Sequence, residues 1–354
     1  MKKRRDGIAE ACEGELSEFL DLWAGADAGR KAVARTVSVL SEATREIAAA
    51  IRLGPLAGPL GASTGRANSD GDAQKKLDVL ANDAVLRALE KAPVAYFASE
   101  EEAEILTLRA DQPVAVAVDP LDGSSNIDTN AAIGTIFSLY MASPGSAAAS
   151  FFRPGREQVA AGYAIYGPHT ALLLTVGSGV EMFVLDERGV YRRAAKGMRI
   201  PALTQEYAIN ASNYRFWREP VRDYIDELLA GLEGPRARDF NMRWLAALVG
   251  DAHRILQRGG IYLYPADRRA GYEHGRLRLI YEAAPIAFLV EQAGGAAIDG
   301  LNPILDKIPE RLHARTPLIF GSAEKVARVQ RFHADPPHVR ARPPLFVTRG
   351  LFRT

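Results

Sequence analysis

The junction that most constrains this chain is a run of five apolar residues, Val114-Ala-Val-Ala-Val118, leading straight into Asp119 and Pro120. A short β-rich run ending in an acid predicts a buried strand that delivers Asp119 to a sheet's carboxyl edge, where open α/β sheets place ligands. Pro120 has no N–H to give a ladder, so the strand is expected to end there. Residues 119–128 read Asp-Pro-Leu-Asp-Gly-Ser-Ser-Asn-Ile-Asp. Asp122-Gly123 predicts a tight turn, after which Ser124, Ser125 and their amides can surround an anion. Carboxylates for a hard cation beside a nest for phosphate is the layout of metal-assisted phosphoryl chemistry. Taken alone, the same residues also read as an ordinary acidic turn. A calcium EF-hand loop is excluded, because Pro120 and Leu121 stand where oxygen ligands should alternate and no glutamate closes the loop.

At 354 residues, 47% hydrophobic and 25% charged, the chain has the length for two domains sharing a large core. Forty-four Lys and Arg against 43 Asp and Glu leave a net charge of +1, so neither nucleic acid nor a membrane is expected as a partner. The single cysteine, Cys12, excludes an intramolecular disulfide and fits a reducing compartment. Met1-Lys-Lys-Arg-Arg5 resembles the start of a signal peptide, but Asp6, Glu10, Glu13 and Glu15 follow instead of an apolar region. A cytoplasmic protein is the expectation.

Val33, Val37, Leu40, Ile47 and Ile51 predict a helix ended by Gly54-Pro55, and residues 52–72 read as a long flexible loop. A second amphipathic helix starts near Leu77. Strands are expected at 94–98, 114–118 and 133–140, then a meander over 160–193. The second half predicts a helix from Val221 to Leu232 and another over 244–256. A strand at 259–265, one at 276–280 ending in Tyr281-Glu282, and a helix near 285–292 come next. A strand at 317–320 and a helix over 324–333 close the pattern, and the proline-rich tail is expected to lie on the surface. Alternating strands and helices predict an α/β fold in layers.

Acids recur at three other element ends. Residues 71–78 read Gly-Asp-Ala-Gln-Lys-Lys-Leu-Asp, Ser99 is followed by Glu100-Glu101-Glu102, and Glu282 follows an apolar run. Together with residues 119–137, these segments resemble the signature of the class I fructose-1,6-bisphosphatase family, which includes related sedoheptulose-1,7-bisphosphatases. Ala161-Gly-Tyr-Ala-Ile-Tyr-Gly167, Asp251-Ala-His-Arg254, residues 259–265 and Leu277-Arg-Leu-Ile-Tyr-Glu282 add to it, and the resemblance runs from about Val33 to about His333. The short acid-Pro-Leu-Asp-Gly-Ser element alone is shared with inositol monophosphatase-like enzymes.

The resemblance implies a layered α-β-α-β-α sandwich of the sugar-phosphatase type. It implies an N-terminal metal- and 1-phosphate-binding domain over 1–198, a C-terminal sugar and 6-phosphate domain over 199–335, and a tail over 336–354. Glu100, Glu101, Asp119, Asp122, Glu282 and the carbonyl of Leu121 would bind Mg²⁺, with Mn²⁺ a possible substitute. Asp72, Asp78 and Glu101 would be catalytic, Asp78 and Glu101 orienting and deprotonating the attacking water. Asp122, Gly123, Ser124 and Ser125 would hold the 1-phosphate. Asn210, Tyr262, Leu263, Tyr264, Arg276 and a neighbouring subunit's Arg243 would hold the sugar and 6-phosphate of a sugar bisphosphate, in a homotetramer. Read without the resemblance, Asn210 is equally a turn residue, Tyr264 a core residue, Arg243 an exposed charge, and His253 a packing residue.

The implied reaction is Mg²⁺-dependent hydrolysis of the 1-phosphate of D-fructose 1,6-bisphosphate, in gluconeogenesis or the Calvin cycle. The alternatives are a sedoheptulose-1,7-bisphosphatase or dual-specificity enzyme, or a catalytically silent sugar-phosphate-binding protein. Three departures from the family fall near the distal phosphate. Arg276 replaces the usual lysine, Trp244 the usual tyrosine, and residues 267–275 form a slightly longer loop carrying Arg268, Arg269 and His274. The AMP-site pattern is also missing: the helix begins Asp27-Ala-Gly-Arg-Lys31, and Gln112-Pro113 and Met141 occupy the later positions. Weak or no AMP inhibition is expected.

Overall fold

The computed structural model describes residues 14–67 and 73–335. Cys12, the basic start, Asp72 and the tail 336–354 lie outside the described residues. Three helices, α1 (Leu16–Ala24), α2 (Ala28–Leu53) and α3 (Lys76–Leu89), form the outer layer, with strands β1 (Ser63–Ala67) and β2 (Ala73–Lys75) paired between the last two. Residues expected as one open loop therefore form a short 3₁₀ turn, Gly54–Ala57, and an antiparallel ribbon. Backbone pairing supplies order that the Gly- and Ser-rich composition does not advertise.

The first sheet contains β3 (Val94–Ser99), β4 (Leu106–Thr107), β5 (Val114–Asp122), β6 (Ile133–Met141), β7 (Ala160–Tyr166), β8 (Thr170–Thr175), β9 (Glu181–Leu185) and β10 (Tyr191–Ala195). Its order is β10-β9-β8-β7-β6-β5-β3-β4, and only β3 and β5 run parallel. A short helix, α4 (Ala147–Phe151), links β6 to β7. The second sheet is built from β11 (Glu206–Ala208), β12 (Asn241–Met242), β13 (Ile261–Tyr264), β15 (Gly295–Ile298) and β17 (Leu318–Ser322). β14 (Leu277–Arg278) and β16 (Arg315–Thr316) make a separate pair. The remaining helices are α5 (Glu219–Leu229), α6 (Leu248–Arg258), α7 (Ala284–Gln292) and α8 (Ala323–Ala334).

Three cores define five layers. Val37, Val85, Val116 and Phe137 seal α2 and α3 onto one face of the first sheet. Ile136, Tyr163 and Leu173 on its other face pack against Ile255 of α6 and Ile286 of α7, which also cover Phe320 and Leu318 of the second sheet. Ile261, Ile319, Tyr224 and Val329 seat α5 and α8 on the far side. The order is α-β-α-β-α, as expected. Burial on both faces explains why Val114–Val118 is continuously apolar despite an antiparallel neighbour. Among the described residues no helix is long and apolar enough to cross a membrane.

Three local expectations need correction. β5 does not stop at Pro120; it continues to Asp122 through an irregular register, with Asp119 opposite Ile136 and Asp122 opposite Gly134. Proline is tolerated there because a bulge needs no ladder donor at that point, and the hydroxyl of Thr135 donates to the Pro120 carbonyl at 2.9 Å. Residues 276–280 are not one strand: β14 has two residues, and a π-helical turn, Leu279–Ala283, carries Glu282. The helix expected from residue 244 starts at Leu248, after Ala246 adopts a left-handed φ of 58° and Ala247 is extended.

Candidate active site

The parallel pair β3/β5 sets the site. Ser99 is in register with Val118, so both strands end together and present Glu100 and Asp119 side by side. The Glu100 amide donates to the Val118 carbonyl at 3.0 Å, holding the turn that follows. Glu102 leaves the group: its carboxylate accepts from Nδ2 of Asn82 at 2.7 Å. Glu100 and Glu101 remain, with Asp78, Asp119, Leu121, Asp122 and Glu282, lining a cleft of about 390 Å³.

Asp119, Asp122 and Glu282 are 4%, 8% and 6% exposed, and their carboxylate oxygens lie within 4.8 Å of one another. Each accepts a backbone N–H: Leu121 to Asp119 at 3.0 Å, Val249 to Asp122 at 2.7 Å, and Arg278 to Glu282 at 2.6 Å, with the Leu248 amide also directed at Asp122. One or two amides apiece do not offset confinement of three like charges. Burial pushes the carboxyls of Asp119 and Glu282 well above their ordinary range, with the charge of Glu100 adding to it. Burial likewise raises Asp122 to about 6. An all-oxygen donor set this close, without His or Cys, fits a hard divalent cation.

Asp78 sits in the first turn of α3. Its Oδ2 accepts the Lys75 amide at 2.7 Å, while Oδ1 is buried without a partner among the described residues. Burial, together with the nearby Glu101 charge, raises its carboxyl to about 6 despite that amide. Beside it, Oε2 of Glu101 accepts from Nε2 of Gln74 at 2.6 Å.

Gly123, Ser124 and Ser125 line the same cleft. Gly123 has φ 79°, and a Cβ there would come within 2.7 Å of the Ala247 side chain. The turn therefore needs glycine for conformation and for closeness to the segment that opens α6. At the opposite end stand Trp244, Tyr262, Tyr264 and Arg276. The Trp244 ring stacks on Tyr262 with centroids 5.6 Å apart and leans on Tyr264 at 6.1 Å.

Other anticipated residues lie elsewhere. Leu263 is fully buried and, by strand alternation, faces away from the cleft toward a small cavity shared with Asn210. Asn210 caps the 3₁₀ turn Ala211–Phe216, its Oδ1 accepting from the Ser212 hydroxyl at 2.6 Å. Arg243 is exposed and does not line this chain's own cleft. His253 is half-buried on α6, 3.3 Å from the Tyr163 hydroxyl, which matches a packing role. A larger cavity of about 780 Å³ lies between the end of α2 and residues 127–133, but its one carboxylate among the described residues, Asp128, is tied to Lys75 at 3.1 Å.

Two polar cleft residues escaped sequence reasoning, Gln74 and Arg278. The Arg278 guanidinium is buried and pairs with Glu100 at 3.3 Å, while its own amide holds Glu282. The only sequence signal was a buried-strand position occupied by a cation. At the start of α2, Asp27 caps the helix by accepting the Arg30 amide at 2.7 Å. A Cβ on the neighbouring Gly29 would lie 3.6 Å from the Met141 side chain, so a thioether fills that contact.

Comparison with known proteins agrees with this geometry. Residues 23–195 match the family model described as fructose-1-6-bisphosphatase, N-terminal domain, and residues 200–334 match its C-terminal domain. A Xanthobacter autotrophicus protein named fructose-1,6-bisphosphatase class 1 is 53% identical over 98% of this chain and 92% of its own length. A Rhizobium meliloti protein of the same class is 52% identical over 91% of this chain and 93% of its own. The crystal structure of Leishmania major fructose-1,6-bisphosphatase in holo form superposes with a TM-score of 0.84 at 35% identity, covering 91% of this chain and 99% of that one. The chain belongs to the fructose-1,6-bisphosphatase family.

Proposed function

We propose that this chain is a metal-dependent sugar bisphosphatase that hydrolyses the 1-phosphate of D-fructose 1,6-bisphosphate, giving D-fructose 6-phosphate and phosphate. The observation that carries the reading is the cleft in which Asp119, Asp122 and Glu282 converge beside the Gly123–Ser125 turn, in a chain about half identical to class 1 fructose-1,6-bisphosphatases.

Glu100, Glu101, Asp119, Asp122, Glu282 and the Leu121 carbonyl are the proposed ligands of Mg²⁺. A bound divalent cation neutralises phosphoryl oxygens, lowers the pKa of a coordinated water and stabilises the leaving alkoxide. The protein's own part is positioning. Asp78 and Glu101 orient the attacking water, and the unpaired Oδ1 of Asp78, on a carboxyl raised to about 6, suits proton acceptance near neutrality. Ser124, Ser125 and the amides after Gly123 cradle the phosphate being cleaved. Asn210, Tyr264 and Arg276, with Arg243 of a neighbouring subunit, hold the distal phosphate and sugar. That assignment carries with it a homotetramer, the 198/199 domain division and a cytoplasmic setting. Asp72 is the proposed third catalytic acid.

One observation favours a second substrate. Trp244 on Tyr262 widens the aromatic wall where the sugar's far end would lie, and Arg276 offers a planar fork there. Sedoheptulose 1,7-bisphosphate is therefore tested in parallel. Mg²⁺-dependent phosphate release is expected from fructose 1,6-bisphosphate, and absence of release from both sugars overturns the reading. Micromolar AMP should leave the rate above half; half-inhibition there would show a working nucleotide site.

A further inference from the structure

The far side of the second sheet holds a pocket that shares no lining residue with the carboxylate cleft. It encloses about 320 Å³ between residues 202–204, the segment carrying Arg236 and Arg238, and α8. Five cations line it: Arg236, Arg238, Lys325, Arg328 and Arg331. The exposed Glu324 is the one acid in its wall. A second carboxylate nearby, Glu227, is shared by Arg236 at 3.1 Å and Arg328 at 2.7 Å. Asp239 is occupied in its own loop, accepting the Leu232 amide at 3.2 Å.

Lys325 makes the pocket unusual. The residue is 5% exposed, yet among the described residues no carboxylate reaches its ammonium, which lies over the Phe240 ring 4.7 Å away. It also sits in the first turn of α8, where the helix dipole disfavours a cation. Burial, and then the charges of Arg236 and Arg238, push the ammonium down to about 8. The π-face of Phe240 offsets only part of this. Burial, like-charge neighbours and dipole are opposed together by a single thing, an anion at the helix start.

We propose that this pocket binds a small, multiply charged anion, by class a phosphorylated metabolite, seated against Lys325 and Arg238 and separate from the hydrolytic cleft. The volume suits a small ligand rather than an extended polymer. The chain's near-neutral charge likewise gives no broad field to attract nucleic acid.

The test is calorimetric titration of the full-length chain with inorganic pyrophosphate in EDTA, which prevents cation bridging in the acidic cleft. Saturable binding is expected, at least tenfold weaker in Lys325→Met and in Arg238→Ala, and unchanged in Arg276→Met. Lys325→Met keeps the packed stem, and Arg238 is exposed, so neither loss is expected through misfolding; thermal midpoints no lower than that of the parent check this. Proton uptake on binding near pH 8 is the accompanying signature of a recharged ammonium. Absence of saturable binding, equal affinity in Lys325→Met, or loss confined to Arg276→Met overturns the proposal. A short DNA duplex that displaces pyrophosphate at lower concentration would replace the small anion by nucleic acid.

Discussion

The carboxylate cleft and the cationic pocket are the same construction with the sign reversed. In one, the acids Asp119, Asp122 and Glu282 converge; in the other, Lys325 and its arginine neighbours converge. Both bring like charges together in a partly buried setting. They differ in how the charges are held. Every acid of the central trio accepts a backbone amide, whereas Lys325 rests on the Phe240 ring, with no hydrogen-bond partner among the described residues. The cleft is thus oriented to angular accuracy, as chemistry demands, while the pocket is only a concentration of charge, which suffices for binding.

The largest effect that would sharpen the contrast comes from Glu101→Gln. Phosphate release is expected to fall by about 10²–10⁴-fold with an unchanged unfolding midpoint; near-normal turnover removes Glu101 from the proposed base pair. Chelation comes next. EDTA should abolish turnover, and Mg²⁺ at about 100 times its dissociation constant should add about 3 kcal/mol to unfolding stability, visible as a raised thermal midpoint. A midpoint indifferent to Mg²⁺ would break the picture of acids awaiting a cation.

A smaller loss is expected from Arg278→Met, which frees Glu100 from its guanidinium while leaving the amide that holds Glu282. The Mg²⁺ concentration for half-maximal rate should rise about 10–100-fold, more than the rate at saturation falls. The smallest effect belongs to the other region and has the opposite sign. The Lys325 ammonium titrates near 8 in the fold against 10.5 unfolded, so the unfolded chain holds its proton more tightly. The cost of burial is full below pH 8 and fades as pH rises toward 10.5. Lys325→Met should therefore stabilise the protein at pH 7 by about 1–2 kcal/mol, with the gain vanishing near pH 10.5 in urea unfolding curves. A destabilised variant at pH 7 would mean that the ammonium is satisfied in a way the pocket does not reveal.

Legibility in sequence followed contiguity. Residues 119–128 carry strand, turn, acids and hydroxyls in one stretch, so the heart of the cleft could be read directly. Glu100 and Glu101 were visible because they end an apolar run, but only the tertiary contact with Asn82 separates them from Glu102. Gln74 and Arg278 left little trace, since their partners lie 27 and 178 positions away, at Glu101 and Glu100 respectively. The layers were legible because the outer helices α2, α3, α5 and α8 each carry one apolar face, while α7 of the middle layer is buried from Ala284 to Val290; the short strands β11 and β12 were missed, being only 3 and 2 residues long. The cationic pocket joins three distant segments. Its one local hint is the spacing of Lys325, Arg328 and Arg331, a row on one side of α8 that also suits a solvated face.

The π-helical turn over Leu279–Ala283 sets the angle between β14 and α7. An α-helix advances by about 100° per residue, and a π turn accommodates one residue more than an α turn. Deleting a single residue there would let the backbone close as ordinary helix, and the two sides would then face each other with a heading wrong by about that angle. α7 is locked in the central core and β14 is locked to β16, so neither can rotate to compensate. The heading of Glu282 is thus stored in chain length: substitutions around it are a matter of degree, whereas a one-residue deletion is a matter of direction.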